Sequence, residues 1–177
     1  QLVKLSEAGR SVVVISNDEH VCGFITVADA VRPQARSVVD SLHKSGVEKV
    51  IMLSGDNNGT AQAIGKEVGV DEVRAELLPA DKVAVIEELV KQFGTVAMVG
   101  DGINDAPALA SASIGIAMGA IGTDAAIETA DIALMSDDLS RLPWLVHHSR
   151  RALGVIRQNI VLSLTVKVAF VIARTPP

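Results

Sequence analysis

The feature that most constrains this chain is a cadence that occurs twice. Pro33 opens a helical stripe of Val38, Val39 and Leu42, Gly46 ends it, and the apolar run Val50 to Leu53 stops at Ser54-Gly55-Asp56. A further helix runs from Gly59 to Val68. Pro79 then opens a stripe of Val83, Ile86, Leu89 and Val90, Gly94 ends it, and Val96 to Val99 stops at Gly100-Asp101-Gly102. Apolar runs without polar alternation are the pattern of parallel strands covered on both faces. Strands linked through helices cross over with one hand, so the cadence predicts one parallel α/β sheet with both Gly-Asp tips at its carboxyl edge. Ligands bind at that edge in open α/β sheets.

The remaining segments fit around this frame. Ser11 to Ser16 and Val21 to Val27 read as a hairpin around the polar turn Asn17-Asp18-Glu19-His20, preceded by a helical stretch at Leu2 to Ala8. A boundary is placed near Ala28. Ser113 to Met118 and Asp131 to Met135 read as two more strands, with a short helix capped by Thr123 between them, and the pattern is helical from Leu139 onward. With 177 residues, 49% of them apolar, the chain can bury a real core. A net charge of -5, 2% aromatics and no tyrosine leave neither a basic footprint nor a stacking platform, so no nucleic-acid partner is expected. The one cysteine, Cys22, excludes an internal disulfide and is expected to be a buried structural thiol.

The two tips carry groups suited to phosphate chemistry. Gly100 and Gly102 allow close approach to the backbone, and Asp101 and Asp105 supply hard oxygen ligands of the kind magnesium takes. Ser54 offers a hydroxyl, Gly55 an exposed N–H, and Lys82 a cation near a helix start. Each has a plainer reading: Asp-Gly is a common turn, Asn104 and Ser54 can cap helices, and Lys82 can be a solvated surface charge. Together and in this order they form a set that would hold a phosphoryl group and its magnesium.

At these residues the chain resembles the haloacid-dehalogenase superfamily, whose motifs look like Ser54-Gly55-Asp56, Lys82 and Gly100-Asp101-Gly102-Ile103-Asn104-Asp105. The longer phrases Met52 to Asn57, Pro79-Ala80-Asp81-Lys82 and Gly100 to Leu109 resemble P-type ATPases more closely than soluble phosphatases. The resemblance implies a Rossmann-like, haloacid-dehalogenase-type parallel sheet followed by a long helix entering the membrane. It implies three segments: 1–27 as the end of a nucleotide-binding domain, 28–138 as the phosphorylation domain, and 139–177 as a linker and a truncated transmembrane helix. It further implies that Ser54 and Gly55, within Ser54-Gly55-Asp56, contact phosphoryl oxygens while Lys82 neutralises charge. Asp101 would bind Mg2+ directly, Asn104 would reach the phosphoryl group, and Asp105 would stand in the second shell of the magnesium and hold Lys82; Gly100 and Gly102 shape the loop. ATP would be the substrate. The family's nucleophilic aspartate lies in an Asp-Lys-Thr-Gly-Thr motif that does not occur here, so the resemblance implies a partial sheet lacking that strand, and a chain inactive on its own.

After Arg157 the terminal segment is almost wholly apolar. Ile160 to Ala173 falls short of the ~20 residues that span a bilayer, which favours a buried soluble helix; Arg150, Arg151 and Arg157 just before it favour a membrane helix with its basic flank in the cytoplasm. Asn159, Ser163 and Lys167 share one face. Asn159 followed by Lys167 resembles the zinc, cadmium and lead branch of the transition-metal P-type ATPases, whereas the copper branch usually has a Tyr-Asn pair. The expected whole is therefore a multi-pass cell-membrane pump that exports a divalent heavy-metal ion. Its partners would be an actuator domain, the rest of the nucleotide-binding domain and further membrane helices. A copper-transporting ATPase and a soluble phosphatase of the same superfamily are the alternatives.

Overall fold

The computed structural model describes residues 11–17, 20–27, 31–101, 105–119 and 129–174. Strands β1 (Ser11–Ser16) and β2 (Val21–Val27) pair antiparallel as the expected hairpin. The expected helices at Leu2 to Ala8 and after Thr123 lie outside the described residues. Cys22 is exposed rather than buried. It lies on a two-stranded ribbon, and a ribbon alone has no second layer to cover either face.

Helix α1 (Ala35–Lys44) buries Ala35, Val38 and Val39. Pro33 lies in the turn ahead of it rather than in its first turn. The helix ends through Gly46 at φ +82°, with Val47 N–H donating to the Leu42 carbonyl at 3.1 Å. Left-handed backbone at this position is what a glycine stop supplies. Strand β3 (Ile51–Leu53) follows, then α2 (Asn58–Val68), whose first turn is capped by the Asn57 side chain accepting from Thr60 N–H at 2.9 Å. Gly65 of α2 faces Val73 so closely that any Cβ would collide with it. That contact belongs to β4 (Glu72–Arg74), which pairs parallel to β3 and has no counterpart in the sequence reading.

Helix α3 (Pro79–Phe93) starts with proline at its first position, and Asp81 Oδ2 accepts from Leu78 N–H at 2.9 Å, satisfying one donor at the helix start. Strand β5 (Ala97–Gly100), helix α4 (Ala106–Ser111), strand β6 (Ile114–Met118) and strand β7 (Ile132–Leu134) follow. The last described element is α5 (Arg141–Arg174), one continuous helix of 34 residues and about 51 Å.

Among the described residues hydrogen bonding divides the parallel strands into two sheets, β3-β4 and β5-β6-β7, rather than one. The larger sheet buries both faces. Met98 and Ala117 pack with Ile86 and Leu89 of α3 and with Ala108 and Leu109 of α4. On the other face Ile116 and Met118 pack with Leu142 of α5, and Val99 and Leu42 lie against them. Residues 98 and 117 on one side, 99, 116 and 118 on the other, follow the two-residue period of strands. Ile51 and Leu53 lean on the first of these clusters, so β3 shares a core with β5 without sharing a ladder.

Candidate functional site

Both Gly-Asp sequences sit at carboxyl ends of parallel strands, as the cadence requires. At the β5 tip, Lys82 Nζ lies 2.6 Å from Asp105 Oδ1, and the two side chains are only 20% and 16% exposed. Asp105 occupies the N-cap position of α4, yet its carboxylate makes no capping bond and goes to Lys82. Gly100 explains how it gets there: a Cβ at residue 100 would stand 2.8 Å from Asp105 Oδ2 and 2.9 Å from its Cβ. Glycine is thus required by the packing of the acid over the strand end. Asp101 is exposed next to this pair. Gly102 and Asn104 lie outside the described residues.

At the β3 tip the polar groups satisfy one another. Ser54 Oγ donates to Asp56 Oδ2 at 2.8 Å and accepts from Asp56 N–H at 3.1 Å. Gly55 and Asp56 are exposed, and a Cβ at Gly55 would meet the Leu77 carbonyl oxygen at 3.3 Å.

One segment ties the two tips together. Glu76 N–H donates to the Asp56 carbonyl at 2.9 Å and Leu77 N–H to the Ser54 carbonyl at 3.1 Å. The chain then enters α3, whose Lys82 reaches Asp105. Glu76 holds φ +58°, the one non-glycine residue with positive φ among those described, and its Oε1 accepts from Asn58 N–H at 3.4 Å. Left-handed backbone at a glutamate is uncommon, and it is sustained here by bonds to the neighbouring loop. The sequence reading missed Glu76, because nothing in Ala75-Glu76-Leu77-Leu78 announces a turn. Asp81 was legible in principle, being an acid placed three residues after a helix boundary with proline between.

The donor set suits magnesium better than a transition metal. Magnesium takes one or two carboxylates with water and phosphate oxygens completing its shell; Asp101 supplies one, while the Asp105 carboxylate is engaged by Lys82. Among the described residues no three His, Cys, Asp or Glu side chains converge into an all-protein cage. Asn159 and Lys167 lie on α5, exposed like every residue from 151 to 174, and are not part of either tip. Helix α5 is long and apolar enough to cross a membrane. The buried-helix expectation is not met, since α5 buries only Leu142.

The family described as haloacid dehalogenase-like hydrolase matches residues 1–113, a span that contains both tips and Lys82. The chain belongs to that family. Within it, the similar proteins are P-type ATPases. A probable cadmium-transporting ATPase of Listeria monocytogenes is 53% identical over 167 residues, covering 94% of this chain and 24% of that protein. A zinc-transporting ATPase of Bacillus subtilis is 49% identical over 160 residues, covering 90% of this chain and 25% of its own length. A crystal structure of a zinc-transporting PIB-type ATPase in the E2.Pi state, 43% identical, matches with a TM-score of 0.82 over 97% of this chain and 28% of that one. The chain thus spans about a quarter of the length of these relatives.

Proposed function

We propose that this haloacid dehalogenase-like unit handles the phosphoryl group in an ATP-driven P-type pump that exports zinc, cadmium or lead ions through an aspartyl-phosphate. The observation that carries the reading is the half-buried Lys82–Asp105 pair seated over Gly100 at the β5 tip. A transferring phosphoryl group develops charge on its oxygens, and a fixed cation beside carboxylates at a strand end is placed to offset it. In this reading Lys82, the Ser54 hydroxyl and the Gly55 N–H, within Ser54-Gly55-Asp56, bind and orient the phosphoryl group; Asn104 reaches it from the loop that Gly100 and Gly102 shape. Asp101 would hold Mg2+ directly, with Asp105 in its second shell keeping Lys82 in place; the ion supplies charge neutralisation when bound. Residues 28–138 form the phosphorylation domain, 1–27 end the nucleotide-binding domain, and 139–177 lead into the membrane with residues 28–138 on the cytoplasmic side.

The nucleophilic aspartate lies in sequence beyond these residues, and its strand belongs between β3 and β5, which lean on one core without pairing. Asn159 and Lys167 would then face the ion path of the assembled pump. The test uses the full-length protein in membranes with radiolabelled ATP. An acid-stable phosphoenzyme that rises with zinc, cadmium or lead, and is lost in Lys82→Ala and Asp101→Ala, is the expected result. Label that appears with copper alone overturns the ion assignment, and label on this chain by itself overturns the missing-nucleophile reading.

A further inference from the structure

Two arginines, one on each side of a helix pair, fasten the catalytic unit to the long terminal helix. Arg32, just ahead of α1, donates to the Asp137 carbonyl at 2.8 Å and to Asp137 Oδ2 at 2.7 Å, just ahead of α5. At the far end the roles reverse: Arg150 of α5 donates to the Ser45 carbonyl and, at 3.2 Å, to the Gly46 carbonyl, beyond the end of α1. Contacts of start with start and end with end mean that α1 and the first turns of α5 run parallel.

Three further observations show a built contact. The glycine stop of α1 turns inward for its own bonds and leaves the Ser45 and Gly46 carbonyls to other donors. Gly46 also makes room, since a Cβ there would lie 2.7 Å from an Arg150 guanidinium nitrogen. A guanidinium at a helix C-terminus is favoured by the partial negative charge of the last carbonyls. Between the pins Leu42, Leu142 and Leu145 pack against Ile116 and Met118 of the sheet. Past Arg150 every residue of α5 is exposed. At this same end of the pair, Gly46 leads through residues 47–50 into β3 and so to Ser54.

We propose that Arg32 and Arg150 are positioning residues that lock α1 and the first turns of α5 into one rigid strut, through which movement of the Ser54 tip shifts the apolar part of α5. The Arg32–Asp137 side chains are 43% and 60% exposed, and exposed pairs contribute little to stability. Removing this pair is therefore expected to leave the sheet and the leucine packing folded while it takes away one of the two pins. The proposal rests on the pump reading above, so its test is arranged to fail separately.

The experiment measures zinc transported per ATP hydrolysed by the full-length protein in sealed vesicles, alongside the zinc-dependent phosphoenzyme level. Arg32→Ala with Arg150→Ala is expected to keep the phosphoenzyme level and lower the transport ratio by about threefold or more. An unchanged ratio, or phosphoenzyme and transport falling in proportion, overturns the proposal. The charge swap Arg32→Asp with Asp137→Arg is expected to recover part of the ratio lost in Arg32→Asp alone; no recovery also overturns it. If the unmodified protein forms no zinc-dependent phosphoenzyme, the pump reading is what has failed. Hydrogen exchange of residues 138–150 still decides the strut in that case: faster exchange in the double variant supports it and unchanged exchange refutes it.

Discussion

The two Gly-Asp tips are written almost alike and built differently. At β3 the aspartate is turned back on its own loop, where Asp56 and Ser54 satisfy each other in the open. At β5 the aspartate of the Gly-Asp stays exposed, while the acid five residues after Gly100 folds back over the strand and meets a lysine from another helix. The first tip is local and self-contained. The second joins α3, β5 and α4, so it is sensitive to packing across three elements. The same dipeptide at the carboxyl end of a parallel strand therefore closes a local loop in one place and, in the other, stands beside a pair of charges brought in by α3 and the start of α4.

The largest effect expected from this difference is at Lys82. Lys82→Met leaves the Asp105 carboxylate half-buried without its partner, and denaturant unfolding of the chain in detergent should show a loss of about 2–3 kcal/mol. A loss no greater than that of an exposed pair would mean that the β5 tip is as loose as the β3 tip. The glycines come next, because they are adjacent in role and differ in space. Gly100→Ala drives a methyl into Asp105 and should cost about 1–3 kcal/mol, more than Gly55→Ala, whose methyl meets one carbonyl oxygen at 3.3 Å, tight but short of collision. The reverse order in thermal unfolding would break the comparison. Smallest is Ser54→Ala, which removes an exposed intraloop bond and should lower stability by about 0.5–1 kcal/mol, while weakening phosphate-analogue binding to the assembled protein much more. Equal effects on both would make Ser54 a turn residue only.

Much of this was legible in the sequence. The hairpin Ser11–Ser16 with Val21–Val27 follows from β-rich runs around a polar turn, and α3 follows from its proline, its stripe and its glycine stop. Strand β4 was not legible. Glu72-Val73-Arg74 is three residues long and two of them are charged; pairing with β3 holds it, with Lys49 and Arg74 bonded to Glu72, and tertiary pairing leaves no trace in local propensity. The same neighbours hold the Glu72 carboxyl below its usual range, first through the Lys49 bond and then through Arg74. The split into two sheets was hidden for a related reason, since the cadence fixes direction and edge but not which strand lies next to which. The Lys82–Asp105 contact was expected from the family resemblance. The role of Gly100 as space for Asp105 emerged only from the packing.

The unpartnered sides of β3 and β5 bear on how a chain like this behaves while it is being made and handled. Among the described residues each of these strands has a ladder on one side only, and a strand with an open row of N–H and C=O groups is a template for another copy. With β3 three residues long and β5 four, an intruding strand gains few bonds, so any such association should be weak, concentration-dependent and reversible. Covering that row early would favour the monomer, and leaving it bare would make solubility depend on how soon the neighbouring strand arrives.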